Sequence, residues 1–241
     1  MKGFMPFFVV TRSNGQRDGL IELITEGFQR KTIRGYIAMT SLPKYKSYKN
    51  GDFYTPDGKF ITENAKNAYY EMMKFYKYPI PERVRGEDFW AKDFNIGKFT
   101  ESGLAGIFWI SSPEYNISGH EMFLLPNQSV PEHYHVATDN TAPKLEAWHV
   151  RHGWVYIYSE GERTPGVDGR IPSSHQDCTL AKKEIIAQPG EVVSLANPTE
   201  RHWMRAGSEG AIVTEYATHH DHDGLRFSHP QGKFFTVDMD D

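Results

Sequence analysis

Two patterns of apolar residues divide the chain. Up to about residue 80 they recur at helical spacing. The stretch "DGLIELITEGFQRK" (18–31) sets Leu20, Leu23, Ile24 and Phe28 on one helical face, with Asp18 as a cap. The stretch "TENAKNAYYEMMKFYKY" (62–78) predicts a second amphipathic helix, capped by Thr62, burying Ala65, Ala68, Tyr69 and Met72, and ended by Pro79 and Pro81. Between them "LPKYKSYKNGDFYTPDGK" (42–59) reads as a Tyr/Lys-rich loop with turns at Asn50-Gly51 and Asp57-Gly58. Lys44, Lys46 and Lys49 could meet an anionic partner there, but a solvated face is the preferred reading.

From Phe89 onward the period shortens. "GLAGIFWISS", "HEMFLLPNQ", "GWVYIYSEGE", "KKEIIAQPGEVVSLANP" and "GAIVTEYATHH" are rich in β-branched and aromatic residues, with Pro, Gly and Asn between them. Such spacing predicts a mostly β fold, a small barrel or sandwich. The expected organisation is an N-terminal helical extension over residues 1–62 and a barrel domain over 63–241. No internal repeat or low-complexity tract interrupts it.

Composition narrows the function classes. A net charge of −4 gives no global basic field for nucleic acid. Mean hydropathy is −0.59, and no apolar run approaches the ~18 residues of a membrane span. The opening "MKGFMPFFVVTRSNG" reads as a strand rather than a signal peptide, for want of a small-residue cleavage site. One cysteine, Cys178, excludes an internal disulfide framework and a thiolate-rich zinc site, and points to the cytoplasm by default.

The chemistry concentrates in "PEHYHVATDNTAPKLEAWHVRHG" (131–153), which holds four of the eleven histidines. His133 and His135 are two apart, so on a strand both imidazoles point to one face. Lys144 and Glu146 repeat that spacing, and His202 follows a Pro-containing turn in "NPTERHWMRAG". Three imidazoles and a carboxylate suit a divalent ion such as Mn²⁺, Fe²⁺, Co²⁺, Ni²⁺ or Zn²⁺. The HxH pair, a Glu with a Gly beyond it at Gly153, and a distal His together follow the two-motif pattern of the cupin barrel, a double-stranded β-helix or jelly roll. His135 and Glu146 are further apart than is usual in cupins, which places a loop, "VATDNTAPK", at the mouth of the site. His149 and His152 lack a partner in this pattern and are read as hydrogen-bonded structural histidines, and nothing in the spacing of His219, His220 and His222 supports a second metal.

Over residues 64–236 the sequence resembles the D-lyxose isomerase family of cupin-type sugar isomerases. The resemblance runs through Gln128, Pro131, His133 and His135 of a "Q-x-x-P-x-H-x-H" segment, and through the "K-x-E" of Lys144 and Glu146. It continues through Pro189 to Glu191, His202, Thr214-Glu215-Tyr216 and the loop "HHDHDGLRF". The longer loop after His135 and residues 1–60 depart from the family. The resemblance implies that His133, His135, Glu146 and His202 bind one divalent metal, Mn²⁺ first among the possibilities. It also implies that Lys144 and Glu215 sit beside the substrate.

The expected reaction is aldose–ketose isomerisation of a free pentose or hexose, of the D-lyxose/D-xylulose or D-mannose/D-fructose type, by enediol proton transfer. Glu215, a carboxylate interrupting an apolar strand, is the expected base, with burial raising its pKa. Lys144 would donate to a sugar oxygen. Asp221, Asp223 and Arg226 could bind hydroxyls, and Trp148, Trp203 and Phe108 could wall the sugar's C–H face, although ordinary core is the better reading for at least two of them. A homodimer is expected. The alternatives are a cupin Fe²⁺ dioxygenase, a non-enzymatic sugar-binding cupin and a phosphosugar isomerase. Oxygen activation needs no Lys144/Glu215 pair, a binding barrel needs no four ligands, and a phosphate would need a basic pocket.

Overall fold

A computed structural model describes residues 46–234. The helix expected at 18–31 and the strand expected at the start lie outside the described residues. Helix α1 (Thr62–Phe75) follows the apolar period: Ala65, Ala68, Tyr69 and Met72 are buried, as is Met73. Thr62 is its first helical residue rather than its cap; Ile61 takes the cap position and no side chain closes the end. A short second helix, α2 (Glu82–Arg85), begins after Pro81.

Among the described residues nine strands follow: β1 (Trp90–Lys92), β2 (Leu104–Ser112), β3 (Ile117–Leu124), β4 (Ser129–His135), β5 (Glu146–Ser159), β6 (Lys183–Ala187), β7 (Val192–Ser194), β8 (His202–Ala217) and β9 (Leu225–Phe227). All pair antiparallel in the order β1-β2-β3-β8-β4-β9, and β5 joins β6, β7 and β8. The architecture is the mostly β, curled sheet of a cupin-type barrel.

Of the three apolar clusters among the described residues, the two largest lie on opposite faces of the strands. Ala105, Ile107, Phe123 and Ile212 point outward and pack under α1 with Phe53, Phe89 and Phe99. Leu104, Met122, Leu124, Val130, Met204, Ala211 and Val213 point inward and fill the barrel. The long strands β5 and β8 run side by side from Glu146↔Ala217 to Ser159↔His202. Register slips at Val150/His152, where β5 carries the extra Arg151, and at Gly153/Val155, where β8 inserts Gly207 to Gly210. Gly153 and Gly210 both have positive φ, at 67° and 76°, which glycine adopts without strain. Both long strands turn a corner there, and each contributes its two halves to different walls.

The slip at Arg151 also moves His152 out of the face that Glu146 occupies. Its ring packs beside Tyr76 and Tyr78, 5.3 and 6.2 Å between centroids, and among the described residues no hydrogen bond holds it. His149 reaches Tyr216 Oη and Arg151 only at 3.5 Å. The two histidines are structural through ring packing more than through hydrogen bonds.

Candidate metal centre and active site

Residues from three strands meet inside the barrel. A further bulge, between Val130 and His133 of β4, sits at Pro131, which has no N–H to give to a ladder. It leaves Val130, His133 and His135 all turned toward the interior. Upstream, Gln128 is fully buried and bonds Tyr69, Phe99 and Leu125, which fixes the approach to β4.

His133, His135, Glu146 and His202 converge so that one donor atom from each lies within 4.8 Å of the others. His202 Nε2 is 3.0 Å from His133 Nε2 and 2.8 Å from Glu146 Oε1, and His135 Nε2 is 3.1 Å from that same oxygen. The opposite ring nitrogens decide the character of the cluster. His133 Nδ1 donates to the Pro131 carbonyl and His202 Nδ1 to that of Glu200, both at 2.9 Å. A carbonyl can only accept, so Nδ1 carries the hydrogen in each ring and Nε2 presents a lone pair inward. Two lone pairs facing each other across 3.0 Å, beside a carboxylate oxygen, repel unless a cation lies among them. This donor set fits a divalent metal ion.

The electrostatics agree. Burial, then the neighbouring His202 and His135, holds His133 well below the ordinary imidazole range, and burial lowers His135 as well. Burial pushes the Glu146 carboxyl up, but the Lys144 ammonium beside it prevails and leaves it well below the carboxylate range. Lone pairs and anion are thus ready for a metal rather than for protons.

Lys144 is buried beside the cluster. Its Nζ is 2.9 Å from Glu146 Oε2 and 2.6 Å from Glu215 Oε1, and these two carboxylates raise its pKa against the effect of burial. Glu215 itself corrects the sequence expectation. Burial would raise its carboxyl, but Lys144 and His120 outweigh burial and Glu146, and its pKa is lowered. The ammonium, invisible in a strand pattern, decides the sign; Glu215 rests ionised and ready to accept a proton.

A cavity of about 640 Å³, including its open mouth, joins these groups. Its wall holds His133, His135, Lys144, His202 and Glu215, with Phe94, Leu104, Met122, Leu225, Phe227 and Phe234 opposite. Phe108, Trp148 and Trp203 also line it, but Trp203 is core in the main, stacked 3.7 Å from Tyr158.

The loop residues fall elsewhere. Asp221 accepts from Thr138 Oγ1 at 2.7 Å and from Gly224 N, which latches the loop after His135 to the loop after β8. Asp223 is exposed, and Arg226 spends its guanidinium on the carbonyls of Asp223 and Leu225. The structure does not bring Asp221, Asp223 or Arg226 to the cavity wall; Leu225 and His220, from the same stretch, line it instead.

Two wall histidines, His120 and His220, have no role in the site expected from sequence. His220 sits 5.1 Å from the His135 ring, with burial and Lys144 holding its pKa down to about 3. His120 lies opposite Glu215 on β3. The inward alternation of "HEMFL" was the available signal, but it needed the β3–β8 pairing to give it meaning.

No family model matches the chain. Among proteins of known activity, it is 32% identical over 175 residues to the D-lyxose/D-mannose isomerase of Thermosediminibacter oceani, covering 73% of this chain and 94% of that protein. The chain belongs to the D-lyxose isomerase family. A D-lyxose ketol-isomerase of Cohnella laeviribosi is 32% identical over 126 residues, 52% of this chain and 68% of that protein. Among solved structures, an L-ribose isomerase of Acinetobacter sp. DL28 superposes with a TM-score of 0.57 at 12% identity, over 75% of this chain and 95% of that one. An L-ribose isomerase of Cellulomonas parahominis gives 0.55 at 13% identity, over 75% and 95%. At that identity the likeness is one of fold, and it agrees with the barrel assignment for this family member.

Proposed function

We propose that this D-lyxose isomerase family member interconverts a free aldose and its ketose, of the D-lyxose/D-xylulose or D-mannose/D-fructose type. One divalent ion, Mn²⁺ in the first place, is held by His133, His135, Glu146 and His202. The observation that carries this reading is the contact of Glu215 with Lys144, 2.6 Å apart and both buried, directly beside the four-donor cluster. A cation in that cluster supplies Lewis-acid polarisation of the sugar's carbonyl, worth several kcal/mol.

The side chains do the rest. Glu215 takes the proton from one carbon and returns it to the neighbour. Lys144 keeps Glu215 ionised and presents positive charge to the sugar's oxygens. Phe108 and Trp148 offer apolar faces to its C–H groups. Among the described residues no arginine lines the cavity, and the one lysine on its wall is held by two carboxylates. A phosphate would find no free cation on that wall, which favours an unphosphorylated sugar. A dioxygenase would share the ligands but has no use for the Lys144–Glu215 pair.

The proposal includes a cytoplasmic homodimer. The single cysteine, Cys178, suits a reducing compartment, and among the described residues β6 pairs only with β5 and exposes Ile185 and Ile186.

The test is solvent exchange. Metal-stripped protein is given Mn²⁺, Co²⁺, Ni²⁺, Zn²⁺ or Fe²⁺ in turn, with D-lyxose, D-mannose, D-xylulose or D-fructose in D₂O. Metal-dependent entry of deuterium at C1 or C2, lost in Glu215→Gln, is expected. Tight metal binding without exchange on any sugar, together with O₂ uptake, overturns the proposal in favour of oxygenase chemistry.

A further inference from the structure

Cross-strand register sets four inward side chains in one row: Phe108 on β2, His120 on β3, Glu215 on β8 and Trp148 on β5. His120 stacks on Phe108, 4.3 Å between centroids at an interplanar angle of 13°, and Trp90 flanks it at 5.3 Å and 29°. Phe108 covers one face of the imidazole, and the two ring nitrogens meet different surroundings. At one edge Nδ1 is 3.8 Å from Glu215 Oε1. At the other, Nε2 is buried with no hydrogen-bond partner, against Gly106, where a Cβ would overlap it.

That asymmetry fixes the tautomer. A buried N–H with no acceptor is rare and costly, whereas a buried lone pair is tolerated more readily. The hydrogen therefore sits on Nδ1, aimed at Glu215. Oε1 of Glu215 thus faces two donors, His120 and Lys144, and among the described residues none addresses Oε2.

We infer that His120 is a positioning residue: with Lys144 it reserves Oε1 of Glu215 and leaves Oε2 as the oxygen that carries the substrate's proton. This rests on the reading of Glu215 as the base. In the aldose-to-ketose direction the C2 proton passes to Oε2 and the C–H electron pair becomes the C1–C2 double bond. The carbonyl pair moves onto O1. A proton, the original one or one exchanged with solvent while on Oε2, then passes from Oε2 to C1, and the hydroxyl proton of O2 ends on O1. No external oxidant or reductant enters. At 3.8 Å the imidazole is beyond hydrogen-bond length, so it steers the carboxylate rather than clamping it. Its loss misplaces the base without removing it.

His120→Phe keeps the stack and removes the donor; His120→Gln restores an N–H donor. The expected result for His120→Phe is a fall in kcat of roughly ten- to a hundredfold, the scale of an ångström's misplacement. KM stays within about twofold and the metal content is unchanged, while His120→Gln recovers part of the loss. In ¹⁵N-histidine NMR of the wild-type protein His120 should appear with its hydrogen on Nδ1, a readout that needs neither activity nor a foldable variant. A hydrogen on Nε2, or an unchanged kcat in His120→Phe while Glu215→Gln is inactive, overturns the positioning role alone. Full exchange activity in Glu215→Gln instead overturns the reading on which it rests.

Discussion

Glu146 and His202 stand at opposite ends of one antiparallel ladder, yet Glu146 Oε1 and His202 Nε2 are 2.8 Å apart. From Glu146 to Ser159, the partner of His202, an uninterrupted strand would span on the order of 40 Å. The difference is made up at the corner where Gly153 and Gly210 take positive φ and the β5–β8 register slips. The glycine downstream of the ligand carboxylate thus closes the barrel and brings the last histidine to the first half of β5.

Gly153→Ala tests that link. A Cβ at 153 would overlap the carbonyl oxygen of Gly210, and the backbone conformation is strained for any L side chain. A loss of about 2–4 kcal/mol is expected, or roughly 5–15 °C in Tm for a chain of this size. Metal affinity should fall with it, because the two halves of the ligand set depend on the corner. Thermal melts with and without metal measure both, and an unchanged melt would mean that the corner is not what joins them.

Lys144 neutralises two buried carboxylates at once. Lys144→Met leaves Glu146 and Glu215 unpaired, a change that costs about 3–5 kcal/mol for a buried ion pair. The response to pH should also change sign. In the wild type both carboxyls have lowered pKa values, so the stability they contribute is present above their ordinary range near 4.5 and is lost as pH falls through the folded values. Without the ammonium, burial dominates and raises them, and acidification should then stabilise the variant. Lys144→Met/Glu215→Gln should be less destabilised than the sum of the single changes. Urea unfolding of the four proteins at pH 7 and pH 5 completes the cycle; simple additivity would refute the coupling.

The four-donor cluster should bind one divalent ion per chain and stabilise the fold on doing so. At a free metal concentration a hundred times Kd, the gain is about 2.7 kcal/mol. Glu146→Gln keeps the size of the side chain but removes the charge that offsets the cation. It should weaken binding by at least the 10–100-fold typical of lost supporting groups. Calorimetric titration of stripped protein with Mn²⁺ gives both stoichiometry and affinity, and more than one equivalent bound tightly would place a second site elsewhere.

Much of this was legible in the sequence because it depends on local period. The buried face of α1, the barrel strands and the convergence of His133 and His135 follow from spacings of 3.6 and 2. What was not legible depends on pairing between distant segments. His120 gains its meaning from standing beside Glu215 across 95 residues of chain. The lowered pKa of Glu215 comes from an ammonium 71 residues away. Asp221 looked like a sugar ligand by composition, but it serves as a latch to Thr138. His152 leaves the face of Glu146 because a bulge at Arg151 adds one residue to the count, which no local period shows.

His175 provides a pH prediction away from the active site. It lies in a 3-10 turn (Ser173–His175), buried at 2% exposure beside Trp203, with Nε2 unpartnered and Nδ1 3.1 Å from Ser174 Oγ. Burial, assisted by His229, lowers its pKa from 6.5 to about 4. The folded state therefore refuses a proton that the unfolded chain accepts. Above pH 6.5 neither state is charged and stability is independent of this group. As pH falls from 6.5 toward 4 the unfolded state alone gains the proton, and stability declines. Between pH 7.5 and pH 5 the loss is about 2 kcal/mol, from 1.5 pH units at 1.36 kcal/mol each. Other buried histidines act in the same direction, so the quantity to measure is the difference between wild type and His175→Gln. Urea unfolding at the two pH values should show the variant losing about 2 kcal/mol less than the wild type. Equal losses would mean that His175 accepts its proton in the folded protein as readily as in the unfolded chain.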